Sequence, residues 1–416
     1  MAGENTVATL NGLFKEVYAD KLEVLTPSGI IFQKDIQFVE RQQQPGNNFH
    51  QPVLLAHEHG FSYAAAGAGA FTLNAAVAGQ TKDAYLTGTQ MLLRSSLDYE
   101  SAARAKGGVN CFKQAVGVVV ENMWESSSKR SEIDILWGTQ GIGVVSSLIT
   151  TTGVVTITTA SWAPGIWAGM EGAILHAWAG TASTAAQVDA DLTITAVDVE
   201  NKKITVSGVT SLVATNVLYF KGQRSTTAST HNVYSGLHAI LANSGSLFGI
   251  DASAYSLWKS TSYDVGGALS FGKVQKAIAR GMGKGLDEDV TLYINPGAWA
   301  DLVTDEAALR RHTDKKSAGA AYEAGAEGLK FYSQNGVVTI KSSIYIKEGF
   351  AFLIAPKLWK RVGATDLTFR LPDRGDEFFR HLADSAGYEL RCYLNNALFS
   401  KAPGKAILLT GIVNST

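Results

Sequence analysis

Charged side chains are scarce in this sequence. Asp, Glu, Lys and Arg together make up 18% of its 416 residues, whereas soluble domains typically hold roughly 25%. Much of the surface must therefore be neutral or apolar, which favours a protein that buries its faces against copies of itself. The 36 basic residues almost balance the 37 acidic ones, and no basic block interrupts the mixture. The sequence therefore lacks the electrostatic footprint of a DNA-binding protein.

Cysteine and long apolar runs are also rare. Cys111 and Cys392 lie far apart, without a CxxC motif or a secretion signal, so we expect a reducing cytoplasm and free thiols. Charges at Glu4, Lys15 and Asp20 interrupt the first 25 residues. The sequence therefore predicts neither a signal peptide nor a membrane segment there, and we expect no membrane role.

The motifs that carry chemistry are incomplete. Residues 267–274, GALSFGKV, approach a phosphate-binding loop, but Val274 replaces the Ser or Thr that would hold magnesium. His57 and His59 share one face of a predicted strand, yet the spacing fixes only two metal ligands. No G-x-S-x-G elbow is present. We therefore predict no enzyme, no cofactor and no metal, with a hydrolase built from distant residues as an alternative.

A segment of small residues lies between two strand-like stretches. Phe49 and Ala84 bound it, and its centre reads FSYAAAGAGAFTLNAAVAG. Small side chains cannot fill a core, so the pattern predicts a long two-stranded loop that becomes ordered on a neighbour. Tyr63, Phe71 and Leu73 are its candidate anchors. A disordered linker is the alternative interpretation.

Two helices are predicted in the first 130 residues. Apolar spacing over 10–25 predicts a short amphipathic helix within an amino-terminal arm. Over 106–126 the same spacing, with polar residues on the other side, predicts a longer helix that spans a domain. We expect the Ser-Ser-Ser-Lys-Arg run at 126–130 to end this helix.

The span 150–224 differs in composition from the rest of the chain. Thr, Val, Ile, Ala and Gly dominate it, and ADLTITAVDVENKKITVSGV predicts a hairpin with its turn at 200–202. Three tryptophans are expected to fill its core, namely Trp162, Trp167 and Trp178. We interpret the span as an inserted small all-β domain, a barrel or a sandwich, that folds largely by itself.

Element boundaries after the insertion are well marked. Ser270 is the predicted N-cap of an amphipathic helix. Asn295, followed by Pro296, predicts the start of another helix after a strand. From Val337 onward the pattern is rich in strands. The sequence as a whole therefore predicts an α+β fold with one all-β insertion.

Four stretches of this sequence resemble the major capsid proteins of tailed bacteriophages, which have the Hong Kong ninety-seven type fold. They are YSGLHAILANSGSLFGID at 234–251, LSFGKVQKAIARG at 269–281, DVTLYINPGAWADL at 289–302 and IYIKEGFAFLIAPKLWKRVG at 344–363. The resemblance covers most of the chain outside the insertion, which departs from the minimal family plan. It implies an amino-terminal arm at 1–50, an extended loop at 51–95, a peripheral domain with a spine helix at 96–149, the inserted domain at 150–224, an axial domain at 225–345 and return strands at 346–416.

The resemblance also implies a function. The chain would assemble with itself into hexamers and pentamers of an icosahedral shell around a double-stranded DNA genome. Its partners would be a scaffolding protein, a portal, in some cases a decoration protein, and DNA bound without sequence specificity. It would be part of the virion and assemble in the host cytoplasm. Alternatives are an encapsulin-like compartment and a surface or tail binding module built on the tryptophan-rich β region.

Four residues are implied as assembly contacts, namely Tyr63, Phe71, Leu73 and Lys82. Some relatives join a lysine of the extended loop to an asparagine of another subunit. Lys82 is the lysine near this loop, and Asn395 and Asn396 are the candidate asparagines, but no pattern identifies the acidic catalyst, so we expect no cross-link. No long, charged helical leader precedes the arm, from which we expect a separate scaffolding protein.

Overall fold

The computed structural model describes most of the chain. It covers residues 29–39, 48–98, 100, 115–226, 230–305, 330–334, 336–370, 379–381 and 387–415. The predicted helix over 10–25, the first part of the predicted helix over 106–126, and Cys111 lie outside these residues.

The described residues form six α-helices and 21 strands. The helices are α1 Phe32–Asp35, α2 Ala115–Leu136, α3 Pro164–Trp167, α4 Leu237–Leu241, α5 Phe271–Met282 and α6 Pro296–Thr304. The strands are β1 Phe38–Val39, β2 Asn48–Ala56, β3 Gln80–Thr87, β4 Thr89–Asp98, β5 Gly143–Ile149, β6 Val154–Ile157, β7 Ile174–Trp178, β8 Gln187–Asp198, β9 Lys203–Ser207, β10 Val217–Phe220, β11 Ser246–Leu247, β12 Ile250–Asp251, β13 Thr261–Gly267, β14 Val290–Ile294, β15 Lys330–Ser333, β16 Gly336–Ser342, β17 Ala351–Ile354, β18 Trp359–Thr368, β19 Phe379–His381, β20 Gly387–Ser400 and β21 Ile407–Ile412. The predicted α+β class is confirmed.

Helix α2 is the long helix of the molecule. Its 22 residues span about 33 Å at the usual rise per residue. The prediction that the run at 126–130 ends the helix is wrong, because the helix continues through it. Ser127, Ser128 and Ser131 are buried, so these small side chains pack against the body of the protein. Tertiary burial thus overrides the modest helix propensity of serine.

Two sheets form the body. In one, β20 pairs with β18 and β19 and also with β4, and β1 adds to β18 in parallel. The other has six strands in the order β13-β21-β17-β14-β16-β15. Consecutive side chains of its strand β14 pack in two different hydrophobic cores. Leu292 packs in the core that includes residues of α5 and α6, whereas Tyr293 packs in the core on the opposite face of the sheet. The six-stranded sheet is therefore buried on both faces.

The two predicted N-caps are confirmed. The Ser270 hydroxyl accepts a hydrogen bond from the Lys273 amide at 3.4 Å, and α5 follows it. The Asn295 side chain accepts one from the Ala298 amide at 2.7 Å, with Pro296 at the first position of α6. Both side chains satisfy amides that the first turn of a helix leaves without a partner.

Strands β5 to β10 close into a six-stranded barrel in the order β10-β5-β6-β9-β8-β7. The predicted hairpin is its β8–β9 pair, and all three predicted tryptophans are buried. The rings of Trp162 and Trp167 stack with centroids 6.0 Å apart. The barrel begins at Gly143, so β5 precedes residue 150.

The loop at 343–350 forms hydrogen bonds with both the barrel and the six-stranded sheet. The Glu348 amide donates to the Trp162 carbonyl at 2.9 Å, and the Gly165 amide donates to the Ile344 carbonyl at 3.0 Å. On the other side of the loop, the Ser343 amide donates to the carbonyl of Ile294 in β14 at 2.8 Å. The loop therefore joins barrel and sheet through backbone hydrogen bonds.

Candidate assembly surfaces

A two-stranded hairpin projects from the body. Strands β2 and β3 pair antiparallel from Asn48 opposite Thr87 to Ala56 opposite Gln80. Residues 57–79 connect them without helix or strand. The pairing of two strands in the predicted loop is thus confirmed, whereas its ordering on a neighbour stays a prediction, and we call residues 57–79 the hairpin tip.

The base of the hairpin packs on the body. The Phe49 ring lies 5.0 Å from the Phe399 ring, centroid to centroid. The Tyr85 amide donates to the Phe248 carbonyl at 3.0 Å. Next to that carbonyl, Gly249 has φ +78°, and a Cβ there would meet the Tyr85 ring. A glycine is therefore required where the hairpin crosses this turn.

The hairpin tip exposes large apolar side chains. The exposed fraction is 87% for Tyr63, 74% for Leu73 and 48% for Phe71, the three predicted contact residues. Phe61 and Val77 are exposed as well, although neither is among the predicted contact residues. No other part of the chain that the structure describes covers these five side chains, and exposed apolar groups of this kind make the tip a candidate interaction surface.

Hydrogen bonds shape the tip in spite of its exposure. The Asn74 amide donates to the Ser62 hydroxyl at 2.7 Å, and the Asn74 side chain donates to the Phe61 carbonyl at 2.8 Å. Nearer the strands, the His59 amide donates to the Val77 carbonyl at 3.0 Å. The two arms of the tip are therefore linked before any partner binds.

Lys82, the fourth predicted contact, lies on β3 opposite Val53 and is exposed. Asn395 and Asn396 lie on β20, where Asn395 accepts a hydrogen bond from the Ala364 amide at 3.3 Å and Asn396 is buried. Within one chain, no hydrogen bond in the described part joins Lys82 to either asparagine. The structure thus does not bring these residues together in a single subunit.

A cleft of about 370 Å³ lies between α2, β4 and the end of the barrel. Residues 89–93 form one wall, and the turn at 220–223 forms another. Arg130 and Asp134 of α2 line it as well. No sequence motif marks this cleft, because its walls come from three separate segments, namely residues 89–93, helix α2 and the turn at 220–223.

Arg130 and Asp134 do not form a salt bridge with each other. The Arg130 guanidinium carbon lies 3.1 Å from the centroid of the Phe220 ring. The Asp134 carboxylate accepts a hydrogen bond from the Gln223 side chain at 2.7 Å. Burial raises the pKa of Asp134 to about 6, against the opposing effect of Arg130. Burial likewise lowers the pKa of Arg130 to about 10.

Metal-ligating and thiol side chains lie apart from one another in the described residues. Among them, no three His, Cys, Asp or Glu side chains come close enough to hold a metal ion. Cys392 is a free, buried thiol whose pKa is raised by burial. None of the helices in the described ranges combines the length and apolarity needed to cross a membrane.

Comparison with known proteins identifies the fold. No protein-family model and no curated protein matches the sequence. A chain of the Cyanophage A-1(L) capsid asymmetric unit is 10% identical with a TM-score of 0.56, and the match covers 98% of this chain and 99% of that one. A chain of Mycobacterium phage Cain is 11% identical, with a TM-score of 0.48 over 100% of both chains. The SrpI encapsulin of Synechococcus elongatus PCC 7942 is 8% identical, with a TM-score of 0.46 over 100% of this chain and 98% of that one.

The likeness to the cyanophage capsid chain extends from one end of both proteins to the other. At 10% identity it concerns the path of the backbone and not individual side chains. The chain therefore has the fold of a phage capsid protein, the fold that its four sequence stretches resemble.

Proposed function

We propose that this chain is the major shell subunit of a tailed phage and that it assembles with itself into a closed container for double-stranded DNA. The observation that carries the proposal is the hairpin tip, whose aromatic and aliphatic side chains no described part of the same chain covers. A capsid fold with such a projecting apolar hairpin is suited to contact between neighbouring copies.

The energetics favour assembly through many modest contacts. Burial of one exposed Leu or Phe side chain contributes roughly 1.5–3 kcal/mol. Because the tip is already shaped by hydrogen bonds through Asn74, less conformational freedom is lost on docking than for a disordered loop. A single contact of this strength is reversible. When every copy of the chain repeats it, the contacts together stabilise a closed shell.

The charge balance supports the DNA-enclosing part of the proposal. With 36 basic and 37 acidic residues, an inner wall would hold few phosphates by direct contact. DNA could then slide during packaging. In this proposal a scaffolding protein and a portal complete assembly in the host cytoplasm, with a decoration protein in some cases, and the subunit becomes part of the virion.

Electron microscopy of the purified full-length protein, alone and with a scaffolding protein, tests the proposal. We expect capsomers or closed shells. Particles from infected cells should contain nuclease-protected double-stranded DNA, whereas a protein cargo would indicate an encapsulin-like compartment. Dispersed monomers under all conditions would contradict the proposal and favour a binding module. Efficient closure of uniform shells by this chain alone would refute the need for a scaffold.

A variant with two substitutions in the hairpin tip tests whether the tip is needed for shell formation. We expect Tyr63→Ser with Leu73→Ser to remove shell formation and to leave the melting of the isolated subunit unchanged, because both side chains are exposed. Val213→Ser is the matched control, since Val213 is an exposed apolar residue of the barrel. Normal shells from the double variant would contradict the role of the tip.

A further inference from the structure

Three hydrogen-bond donors of the cleft have no acceptor within the described chain. The Arg130 guanidinium rests on the Phe220 ring, and no hydrogen bond or salt bridge joins it to a residue in the described ranges. In the same part of the chain, the Tyr234 hydroxyl and the side-chain amide nitrogen of Asn396 are buried without a hydrogen-bond partner. All three side chains line the cleft, although α2, β20 and the segment before α4 carry them.

These unpaired donors favour a ligand that accepts hydrogen bonds. A buried donor without an acceptor destabilises the protein, and a desolvated cation without an anion does so more strongly. Burial raises the pKa of Tyr234 well above its ordinary value, with a further contribution from Asp134, so the hydroxyl keeps its proton. A carboxylate accepts several hydrogen bonds and pairs well with a guanidinium. The cleft is therefore complementary to a carboxylate.

The other charges of the cleft limit the ligand to one negative charge. The Asp134 carboxylate accepts a hydrogen bond from the Gln223 side chain at 2.7 Å, and its pKa of about 6 leaves it ionised at neutral pH. Lys221 also lines the cleft, but it pairs with Asp191 at 2.6 Å. Because Asp134 repels a second negative charge, a monocarboxylate fits better than phosphate.

The rest of the lining indicates what carries the carboxylate. Apolar side chains from both paired strands and from the segment before α4 border the cleft, among them Met91, Leu93, Val233 and Leu394. The volume of about 370 Å³ lies near the lower end of the range for small-molecule sites, which begins at about 300 Å³. Apolar walls favour an apolar body on the ligand.

We propose that the cleft binds a small organic monocarboxylate with an apolar body, whose carboxylate pairs with Arg130 and accepts hydrogen bonds from Tyr234 and Asn396. The bound ligand would contact α2, β20 and the turn at 220–223, so it would stabilise the folded subunit. All of these residues belong to one chain. The inference therefore goes beyond the proposed shell function and does not depend on it.

Titration calorimetry of the unassembled full-length subunit with octanoate at neutral pH tests the proposal. We expect one octanoate per subunit with a Kd of about 1 mM or tighter. Octanol has the same apolar chain without the charge and should bind at least about tenfold more weakly. Inorganic phosphate should also bind more weakly than octanoate. On addition of octanoate, hydrogen exchange should slow at residues 89–93 and 220–223, which locates the site.

Two substitutions separate binding from folding. Arg130→Met should weaken octanoate binding at least about tenfold, because it removes the charged partner. Arg280→Met is the matched control, since Arg280 also rests on an aromatic ring, that of Tyr263 at 4.8 Å, and lies outside the cleft. Tyr234→Phe should weaken binding about threefold or more. It should not lower the melting temperature of the ligand-free subunit, because the hydroxyl has no partner there; a structural hydroxyl would lower it.

Several results would overturn the inference. One is the absence of octanoate binding to the folded wild type. Equal affinity for octanoate and octanol, or unchanged affinity in Arg130→Met, would show that no carboxylate is recognised. Phosphate binding as tight as that of octanoate would contradict the apolar body. If Arg130→Met does not fold, Tyr234→Phe and the octanol comparison decide. Shell formation is measured separately by microscopy, so failure of either proposal leaves the other standing.

Discussion

At the scale of single residues, the structure buries charge where the barrel meets the body. Lys347 is 4% exposed, donates one hydrogen bond to the Gly141 carbonyl at 3.0 Å, and lies 4.0 Å from the centroid of the Trp137 ring. Burial lowers the pKa of Lys347 to about 7. His238, beside it, has a pKa lowered to about 4 by burial and by Lys347.

The pKa of Lys347 predicts a pH dependence of stability. In the unfolded chain a lysine stays charged up to about pH 10.4. Between about pH 7 and 10 the folded protein therefore holds fewer protons than the unfolded chain, so this group's contribution to stability rises with pH. The free energy of unfolding of the wild type, minus that of Lys347→Met, should rise by roughly 1.4 kcal/mol per pH unit over this window.

Urea unfolding of the isolated subunit at pH 7, 8, 9 and 10 measures this difference. Lys357→Met is the control, because Lys357 is an exposed lysine and its removal should leave the pH dependence unchanged. His238 titrates well below the window and does not interfere. A difference between wild type and Lys347→Met that stays flat with pH would show that Lys347 is not desolvated.

At the scale of elements, the segment 29–39 forms contacts with helix α2 and with both sheets. The Glu132 carboxylate of α2 accepts hydrogen bonds from the amides of Ile31, Phe32 and Gln33 at 2.9, 2.8 and 3.1 Å. Asp35 pairs with Lys341 of β16 at 2.6 Å. Burial raises the pKa of Glu132, and the three amides oppose that rise. One short segment thus ties the long helix to the six-stranded sheet.

We expect Glu132→Gln to lower the free energy of unfolding by about 2 kcal/mol, because an amide cannot accept three hydrogen bonds as a carboxylate does and the backbone amides that lose a partner are buried or half-buried. Glu125→Gln, at an exposed position of the same helix, is the matched control and should change stability little. Urea unfolding of both variants at neutral pH gives the comparison. Equal stability of the two variants would mean that the hydrogen bonds accepted by Glu132 contribute nothing to the free energy of unfolding.

The barrel is the second element whose boundaries matter. A fragment of residues 150–224 lacks β5, which pairs with both β6 and β10. We expect this fragment to show no cooperative melting, since an open barrel leaves two strand edges and its tryptophans uncovered. A fragment of 141–224 restores β5 and should melt cooperatively by circular dichroism. Cooperative melting of the shorter fragment would show that β5 is dispensable.

At the scale of the whole molecule, the hairpin tip should change most on assembly. We expect the amides of residues 60–80 to exchange hydrogen faster in isolated subunits than in shells, because in one chain the tip is exposed and in shells a neighbour would cover it. Hydrogen exchange with mass spectrometry measures this, with the buried strand β14 as an internal control. Equal protection of the tip in both states would contradict docking.

The exposed residues of the hairpin tip could be predicted from the sequence because their signal is local, whereas their role as assembly contacts stays a prediction. Tyr63, Phe71 and Leu73 stand out because large apolar residues interrupt a run of alanine and glycine, and all three are exposed on the tip. Arg130 could not be singled out. Its sequence neighbours are serines and a lysine, and other residues that line its cleft, such as Phe220 and Gln223, are distant in sequence.

What the sequence determined by itself is what depends on neighbours along the chain. The caps at Ser270 and Asn295, the β8–β9 hairpin and the apolar tip follow from the chemistry of a few consecutive residues. The tertiary structure decided the rest. Helix α2 runs past its serines because they are buried, and β5 joins the barrel because β6 and β10 offer it two edges. Such outcomes depend on surfaces that only the folded chain brings together, and those interactions exceed local propensity in free energy.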